Sequence, residues 1–423
     1  MKEDFLHYIW KYKQFDTLFL KTSNQEEVII GNVGQYLELS GPDFFNAQIT
    51  IGTQKWAGNV EIHIKSSDWY LHHHEEDSNY ENVILHVVWE HDLDIYRKDN
   101  TEIPVLELKN YVSKETIANY HKLISPKSWI FCEKQINTIP QFILLNWQER
   151  LFFERLERKS KPILDMLSLT NNDWEAVLYL LLAKNFGLNT NGEIFLSIAQ
   201  SIPFLVLRKE SFEVENIEAL LLGTAGLLDN ENEDVYFKDL KFRYFYLIHK
   251  YQIEKNFITP VQFFKHRPDN FPTIRLSQLA SLYHKEQNLF SKLIGLNNLE
   301  SIYELFDVSV TMYWQTHYQF GKESKKKRKV LSKPFIDLLI LNTIVPLQFA
   351  YAKSKGEEVS EDLIGLLNEM EPENNSIIDK FNSFEIKAKS AFETQSLLQL
   401  KNEYCNKFKC LNCAIGIELL KQN

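Results

Sequence analysis

The first 112 residues carry their hydrophobic positions at a period of two. A charged amphipathic stretch, EDFLHYIWKYKQF, predicts a helix from about Glu3 to Phe15. EEVIIGNV, FNAQITIG, WAGNVEIHIK, NVILHVVWEH and IPVLELKNYV follow. Each is short, rich in Val, Ile, Leu or aromatics, and bounded by Gly, Asn or Asp, which is the signature of strands. Between the third and fourth, SSDWYLHHHEEDSNYE offers Ser67 or Asp68 as the cap of a short helix. The predicted order is helix, three strands, helix, strand and one further strand. From about Ser113 the period becomes helical. QFILLNWQERLFFERLERK sets Ile143, Leu144, Trp147, Leu151 and Leu156 near one stripe. NNDWEAVLYLLLAKNFGL opens on capping residues and closes at Gly187, and LNNLESIYELF sets Asn297 and Glu300 at capping-box spacing. No fixed-period repeat occurs, which argues against a regular solenoid. The expectation is an α+β protein, with an α/β domain over residues 1–112 and a larger all-α domain over 113–423.

The strand WAGNVEIHIK carries candidate chemistry. Alternation points Glu61, His63 and Lys65 one way and Val60, Ile62 and Ile64 into the core. Pattern alone describes a half-exposed strand with a wet face. Pro42-Asp43, at the start of the preceding strand, changes the picture. A hairpin around GTQKWAGN would bring Asp43 towards Glu61, and converging carboxylates are what a hard cation such as Mg²⁺ requires. A cationic side chain on the same strand would then stabilise charge on a phosphoryl group.

Pro-Asp followed by (Asp/Glu)-x-Lys resembles the PD-(D/E)XK nuclease superfamily, whose core is αβββαβ. The resemblance covers roughly residues 1–92. It implies an endonuclease-like domain acting on nucleic acid, with Asp43 and Glu61 as metal ligands and His63 or Lys65 assisting. His63 stands where the motif has lysine. A competing Glu107-Leu108-Lys109 lacks an upstream Pro-Asp at suitable distance. The whole chain also resembles a bacterial domain-of-unknown-function family, through GPDFFNAQITIG, WAGNVEIHIKSSDW, NVILHVVWEHD, RPDNFPTIRLSQLA and CLNCAIG.

Other residues add possibilities. His72, His73 and His74 read as a polar helix face, on which His73 and Asp77 would lie one turn apart and could share a metal. His86 is either a hydrogen-bonded core histidine or a site-facing one. The chain has four cysteines, Cys132, Cys405, Cys410 and Cys413. The last three form C-x4-C-x2-C, and with Cys132 they make the number a tetrahedral zinc site needs. The spacing also matches a plant-type iron–sulfur pattern. Some nucleases of the resembled superfamily hold such a cluster with one upstream and three C-terminal cysteines, although there the first cysteine precedes the nuclease motifs. Reduced, buried thiols are the plain alternative.

Composition bounds the function. A net charge of −10 argues against a dedicated nucleic-acid coat but leaves room for a nuclease. The dense basic run KESKKKRKVLSKP reads as a solvated loop or a phosphate-backbone contact, and Arg267 and Arg275 sit beside aromatics. LSKPFIDLLILNTIVPLQFAYAK contains Lys333, Asp337, Asn342 and Pro346 and predicts a buried helix pair. No membrane partner and a cytoplasmic location are expected. HExxH, GxSxG, GxGxxG and GxxxxGK[ST] do not occur, which removes the case for a zincin, a hydrolase elbow, a Rossmann cofactor or a P-loop. A non-catalytic interaction or scaffold protein with a structural metal site is the alternative to a metal-dependent nuclease.

Overall fold

The computed structural model describes residues 2–36, 41–123, 128–254, 258–263 and 266–421. The chain divides into two compact units. One comprises Met1–Gln148, Asp379–Lys387 and Leu398–Asn423; the other comprises Glu149–Ile378 and Ala388–Leu397. The division expected at 112 therefore lies further along, and the last segment returns to the first unit. Aromatic packing explains the shift. Trp129 meets Phe381 at 5.1 Å, Trp147 meets Tyr404 at 5.1 Å, and Phe131 stacks on Phe408 at 5.4 Å. Such pairs contribute on the order of 1 kcal/mol each beyond the area they bury.

The first unit opens with α1 (Glu3–Tyr12), which buries Phe5, Leu6, Tyr8, Ile9 and Trp10 and ends where Lys13 turns left-handed. The strands are β1 (Leu20–Lys21), β2 (Glu27–Asn32), β3 (Gln35–Tyr36), β4 (Phe44–Ile51), β5 (Gln54–Lys65), β6 (Val83–Glu90) and β7 (Val105–Glu107). A short helix, α2 (Asp68–Leu71), lies between β5 and β6. The sheet order is β1-β2-β4-β5-β6-β7, with β3 paired to β4. β2, β4 and β5 are antiparallel; β5–β6 and β6–β7 are parallel. Helix, three antiparallel strands, short helix and parallel strand thus follow the expected order.

Two local features of the β4–β5 hairpin set the site. Gly52, at φ 58°, turns the chain so tightly that β5 begins at Gln54. The expected long connection GTQKWAGN is mostly strand. A bulge then interrupts the ladder between Phe44 and Ala47, with Asn46 left-handed at φ 55°. Ala47 pairs with Gly58, but Phe44 pairs with Val60. An unbroken ladder would carry Asp43 opposite Ile62; the bulge sets it beside Glu61.

The supposedly wet face of β5 is covered. Glu61 is 5% exposed and His63 2%, as buried as Val60 and Ile62 on the other face. β5 is a central strand, and both α1 and α2 pack on it.

The second unit is helical. Asp173 caps the helix Trp174–Phe186 through the Ala176 N–H, as expected. Gly187 is not its left-handed terminator; Leu188 takes the positive φ instead, at 53°. Asn298, rather than Asn297, caps Leu299–Leu305, through the Ser301 N–H. The apolar segment is one 23-residue element, Lys333–Lys355, not a helix pair. A π-helical turn at Ile340–Ile344 absorbs the break that Pro346 makes in the hydrogen-bond ladder. This element is long and apolar enough to cross a membrane, but 72% of its most apolar window is buried in the protein. Arg275 is buried against the Phe335 ring at 3.5 Å, which is packing. In the basic run, Lys327 pairs with Asp269 at 2.6 Å, Arg328 with Asp307 at 3.6 Å, and Lys329 is buried against the carbonyls of Trp314 and His317. Lys325 and Lys326 remain exposed.

Candidate metal centre

Asp43 and Glu61 are locked to each other through the backbone. The Asp43 N–H donates to Glu61 Oε2 at 3.1 Å, and the Ile62 N–H donates to Asp43 Oδ2 at 3.0 Å. His7, from α1, meets Asp43 Oδ2 through Nε2 at 3.0 Å. Burial opposes charge on His7, but Asp43 outweighs it and the imidazole pKa moves up. Glu61 behaves oppositely. Burial, then the Asp43 carboxylate, pushes its carboxyl up to about 9. A like charge beside a buried carboxyl favours its protonated form, and a bound cation would reverse that preference.

Glu61 Oε1 faces imidazoles. It lies 3.6 Å from His63 Nε2 and 3.4 Å from His74 Nε2. One ring nitrogen from each of His63, His72 and His74 lies within 4.8 Å of the others, and His63 Nε2 is 3.0 Å from His72 Nδ1. His74 Nε2 is buried without a hydrogen-bond partner, while its ring is held by Tyr80 stacked at 3.8 Å. Burial, then the neighbouring histidines, drives the His63 pKa down to about 2. Burial likewise lowers His74. His63 and His74 are therefore held neutral, which is the ligating form.

Behind the triad stands His86, wholly buried on β6, with Nε2 2.8 Å from His63 Nδ1. If His63 turns a bare Nε2 to an ion, Nδ1 carries the proton and donates to His86 Nε2. His86 then keeps its own proton on Nδ1, the atom that has no partner. Outer partners of this kind fix the tautomer of a metal-ligating histidine. Burial lowers the His86 pKa to about 3, so it stays a neutral acceptor. Of the two readings of His86, core and site-facing, the structure gives both.

Not every sequence candidate joins the cluster. Asp43, Glu61 and His63 come together. Lys65 is exposed at the end of β5; its N–H donates to Asp68 Oδ2 at 3.0 Å, and among the described residues no ion pair joins it to Asp43 or Glu61. The helical reading of the histidine run is corrected. α2 stops at Leu71, and His73 adopts φ 58°. That kink turns His72 and His74 to the same cluster, while Asp77 instead caps the 3₁₀ turn Ser78–Tyr80. His7 gave no signal, being one histidine in an amphipathic helix; the alternation His72-x-His74 was the signal available for the other two. Glu107, of the competing Glu-x-Lys, accepts from the His91 N–H at 3.4 Å.

Among the described residues, no three cysteines bring their sulfurs within 4.8 Å of one another. None is in a disulfide. Cys132 feels the charges of Cys413 and Cys410, and Cys405 those of Cys413, Cys132 and Cys410. Burial first, then this mutual charge, raises the thiol pKa of both, and that of Cys410 to about 12.

No curated protein and no solved structure matches the chain. A family model does, over residues 3–376, a span that contains every residue of the histidine–carboxylate cluster. The chain belongs to the family described as protein of unknown function DUF2851.

Proposed function

We propose that the first unit is a metal-dependent phosphodiesterase centre, making the protein a nuclease or a nuclease-derived nucleic-acid-binding protein. The observation that carries this reading is the convergence of Glu61 Oε1 with the ring nitrogens of His63 and His74, at 3.6 and 3.4 Å, beside an exposed His72. Nitrogen and carboxylate ligands that surround one ion at about 2.0–2.2 Å stand roughly 3.0–3.5 Å from one another, which is close to these separations. The αβββαβ order around Asp43 and Glu61 supports the PD-(D/E)XK likeness. His63 occupies the place of the motif lysine and brings two further histidines with it. Imidazole donors favour Mn²⁺ or Zn²⁺ over the Mg²⁺ suggested by two carboxylates alone.

A divalent ion there would polarise a phosphoryl oxygen and generate a nucleophile near neutral pH. The chain's own residues do the rest. Backbone N–H groups orient Glu61 and Asp43. His86 fixes the tautomer of His63. The His7–Asp43 pair is placed to accept or return a proton. Exposed His72 leaves one side of the cluster open to substrate.

The test is cleavage of single- and double-stranded DNA and RNA by full-length protein with Mg²⁺, Mn²⁺ or Zn²⁺, beside Glu61→Ala and His63→Ala. Metal-dependent cleavage lost in both variants is the expected result. Equal background in all three sinks the enzyme reading, and nucleic-acid binding that survives without cleavage selects the nuclease-derived binder. A second reading, a non-catalytic interaction protein, rests on the helix Val235–Tyr251, which exposes Phe242, Phe245 and Tyr246 at one-turn spacing.

A further inference from the structure

We infer that the histidine–carboxylate centre receives a single strand, with a base stacked on a tyrosine shelf beside His7 and a phosphate held by Lys11. The inference rests on the nuclease reading of that centre and names the form of nucleic acid it takes. Its basis is one stripe of α1, on which the residue that meets Asp43 and an exposed lysine set between two tyrosine rings lie side by side.

α1 buries Phe5, Leu6, Tyr8, Ile9 and Trp10. His7 and Lys11 are left on one face, a single turn and about 6 Å apart along the axis. His7 reaches Asp43 Oδ2 at 3.0 Å. Lys11 Nζ stands over rings instead, 5.2 Å from the centre of Tyr36 and 5.6 Å from that of Tyr12. Among the described residues no carboxylate pairs with it. The neighbouring Lys13 is engaged by the Ile30 carbonyl at 3.3 Å.

The rings run from Lys11 to the site. Tyr36 lies 5.5 Å from the His7 ring and 5.2 Å from Phe44, the residue after Asp43. Its pairing with Phe44 across β3 and β4 fixes it there. Tyr12 packs on Tyr8 at 5.2 Å and stays 39% exposed, because Lys13 turns left-handed and ends the helix. A lone exposed tyrosine is ordinary. Here two tyrosines and a lysine without a carboxylate converge one turn from the reacting edge.

Tyrosine stacks on a base only when that base has left its own stack, which a single strand permits and a duplex does not. With the scissile phosphate at the histidine–carboxylate centre, Lys11 is placed for a neighbouring one. Lysine and tyrosine read no sequence, so the shelf accepts any base. A chain of net charge −10 has little long-range attraction for nucleic acid. Stacking therefore carries most of the affinity, and its salt dependence is shallow.

The experiment is fluorescence anisotropy of labelled oligothymidylate, oligouridylate and a mixed-sequence duplex on full-length protein in EDTA, which prevents cleavage. Wild type, Tyr12→Ala, Tyr12→Phe and Lys11→Ala are titrated at several salt concentrations. Either single strand should bind at least about tenfold tighter than duplex, Tyr12→Ala should weaken it about tenfold, and Tyr12→Phe should restore it. Lys11→Ala should lower the salt slope by about 0.7. Duplex bound as tightly as single strand, affinity unmoved by Tyr12→Ala, or no binding at all overturns the shelf. The wild-type comparison holds even if a variant misfolds. Cleavage with Mn²⁺ separates the two readings: duplex cut as fast as single strand, in wild type and Tyr12→Ala alike, removes the shelf and leaves the nuclease, whereas neither binding nor cleavage of any probe removes both.

Discussion

Glu61→Gln is expected to stabilise the metal-free protein and to weaken the metal-loaded one. In the metal-free chain the Glu61 side chain is 6% exposed and its carboxyl titrates near 9, against an ordinary 4.5. Below the lower value the carboxyl holds its proton in both folded and unfolded chains. Above it the unfolded chain releases the proton and the folded chain keeps it. Folding stability then falls by about 1.4 kcal/mol per pH unit until the folded carboxyl itself ionises. At pH 7 the loss is at most about 3 kcal/mol. Glutamine carries no charge, keeps an oxygen for the Asp43 N–H, and turns an NH₂ towards the unpaired His74 Nε2. The assay is urea unfolding of chelator-treated protein between about pH 7 and 8.5, read by hydrogen exchange of β5 amides. In that range the unfolded-chain protonation of His63 and His86 is small and the same in both proteins, so the difference between them isolates Glu61. Added metal should reverse the order, because the variant loses a ligand. A metal-free variant less stable than wild type at pH 7, or one with the same pH slope, would refute the reasoning.

Other expectations are simpler to check. His72→Ala should cost only about 1 kcal/mol of stability, for its hydrogen bond to buried His63 Nε2, and weaken Mn²⁺ or Zn²⁺ binding by at least about tenfold in calorimetry. Lys65→Ala should leave that affinity within about twofold, since its exposed side chain stands outside the cluster. Gly58→Ala should destabilise the first unit by about 1–3 kcal/mol in urea, because the new Cβ would meet Ile84 Cγ2 at 2.4 Å and the Asn82 carbonyl at 2.7 Å. Acid should destabilise metal-free protein below about pH 6.5, where unfolded histidines take up protons that buried His63 and His86 refuse. His86→Asn should flatten that acid limb in a pH series of melting curves.

Much of the first unit was legible because strand alternation is a local signal. The inward faces of Val60 and Ile62 and the approach of Asp43 to the β5 strand follow from period and a glycine turn; the bulge that sets Asp43 beside Glu61 rather than Ile62 does not. The burial of Glu61 and His63 does not, because α1 and α2 cover that face only in the folded chain. His72 and His74 were hidden for another reason. Their run looks helical, and only the left-handed backbone at His73 turns both neighbours to one point. The return of the C-terminal segment to the first unit depends on the contacts of Trp129, Phe131 and Trp147, which no local pattern announces. The division near 148 was illegible for the same reason.

The bulge at Asn46 bears on how this centre can be recognised in other chains. It takes up one residue without moving Phe44 from Val60. A relative lacking it would pair the same two carboxylates with one residue fewer between them. The count of residues from aspartate to glutamate therefore records the presence of the kink rather than the presence of the centre. Deleting Asn46 should straighten the hairpin and leave metal affinity intact, and a search keyed to a fixed interval would discard sequences that carry the same pair of carboxylates.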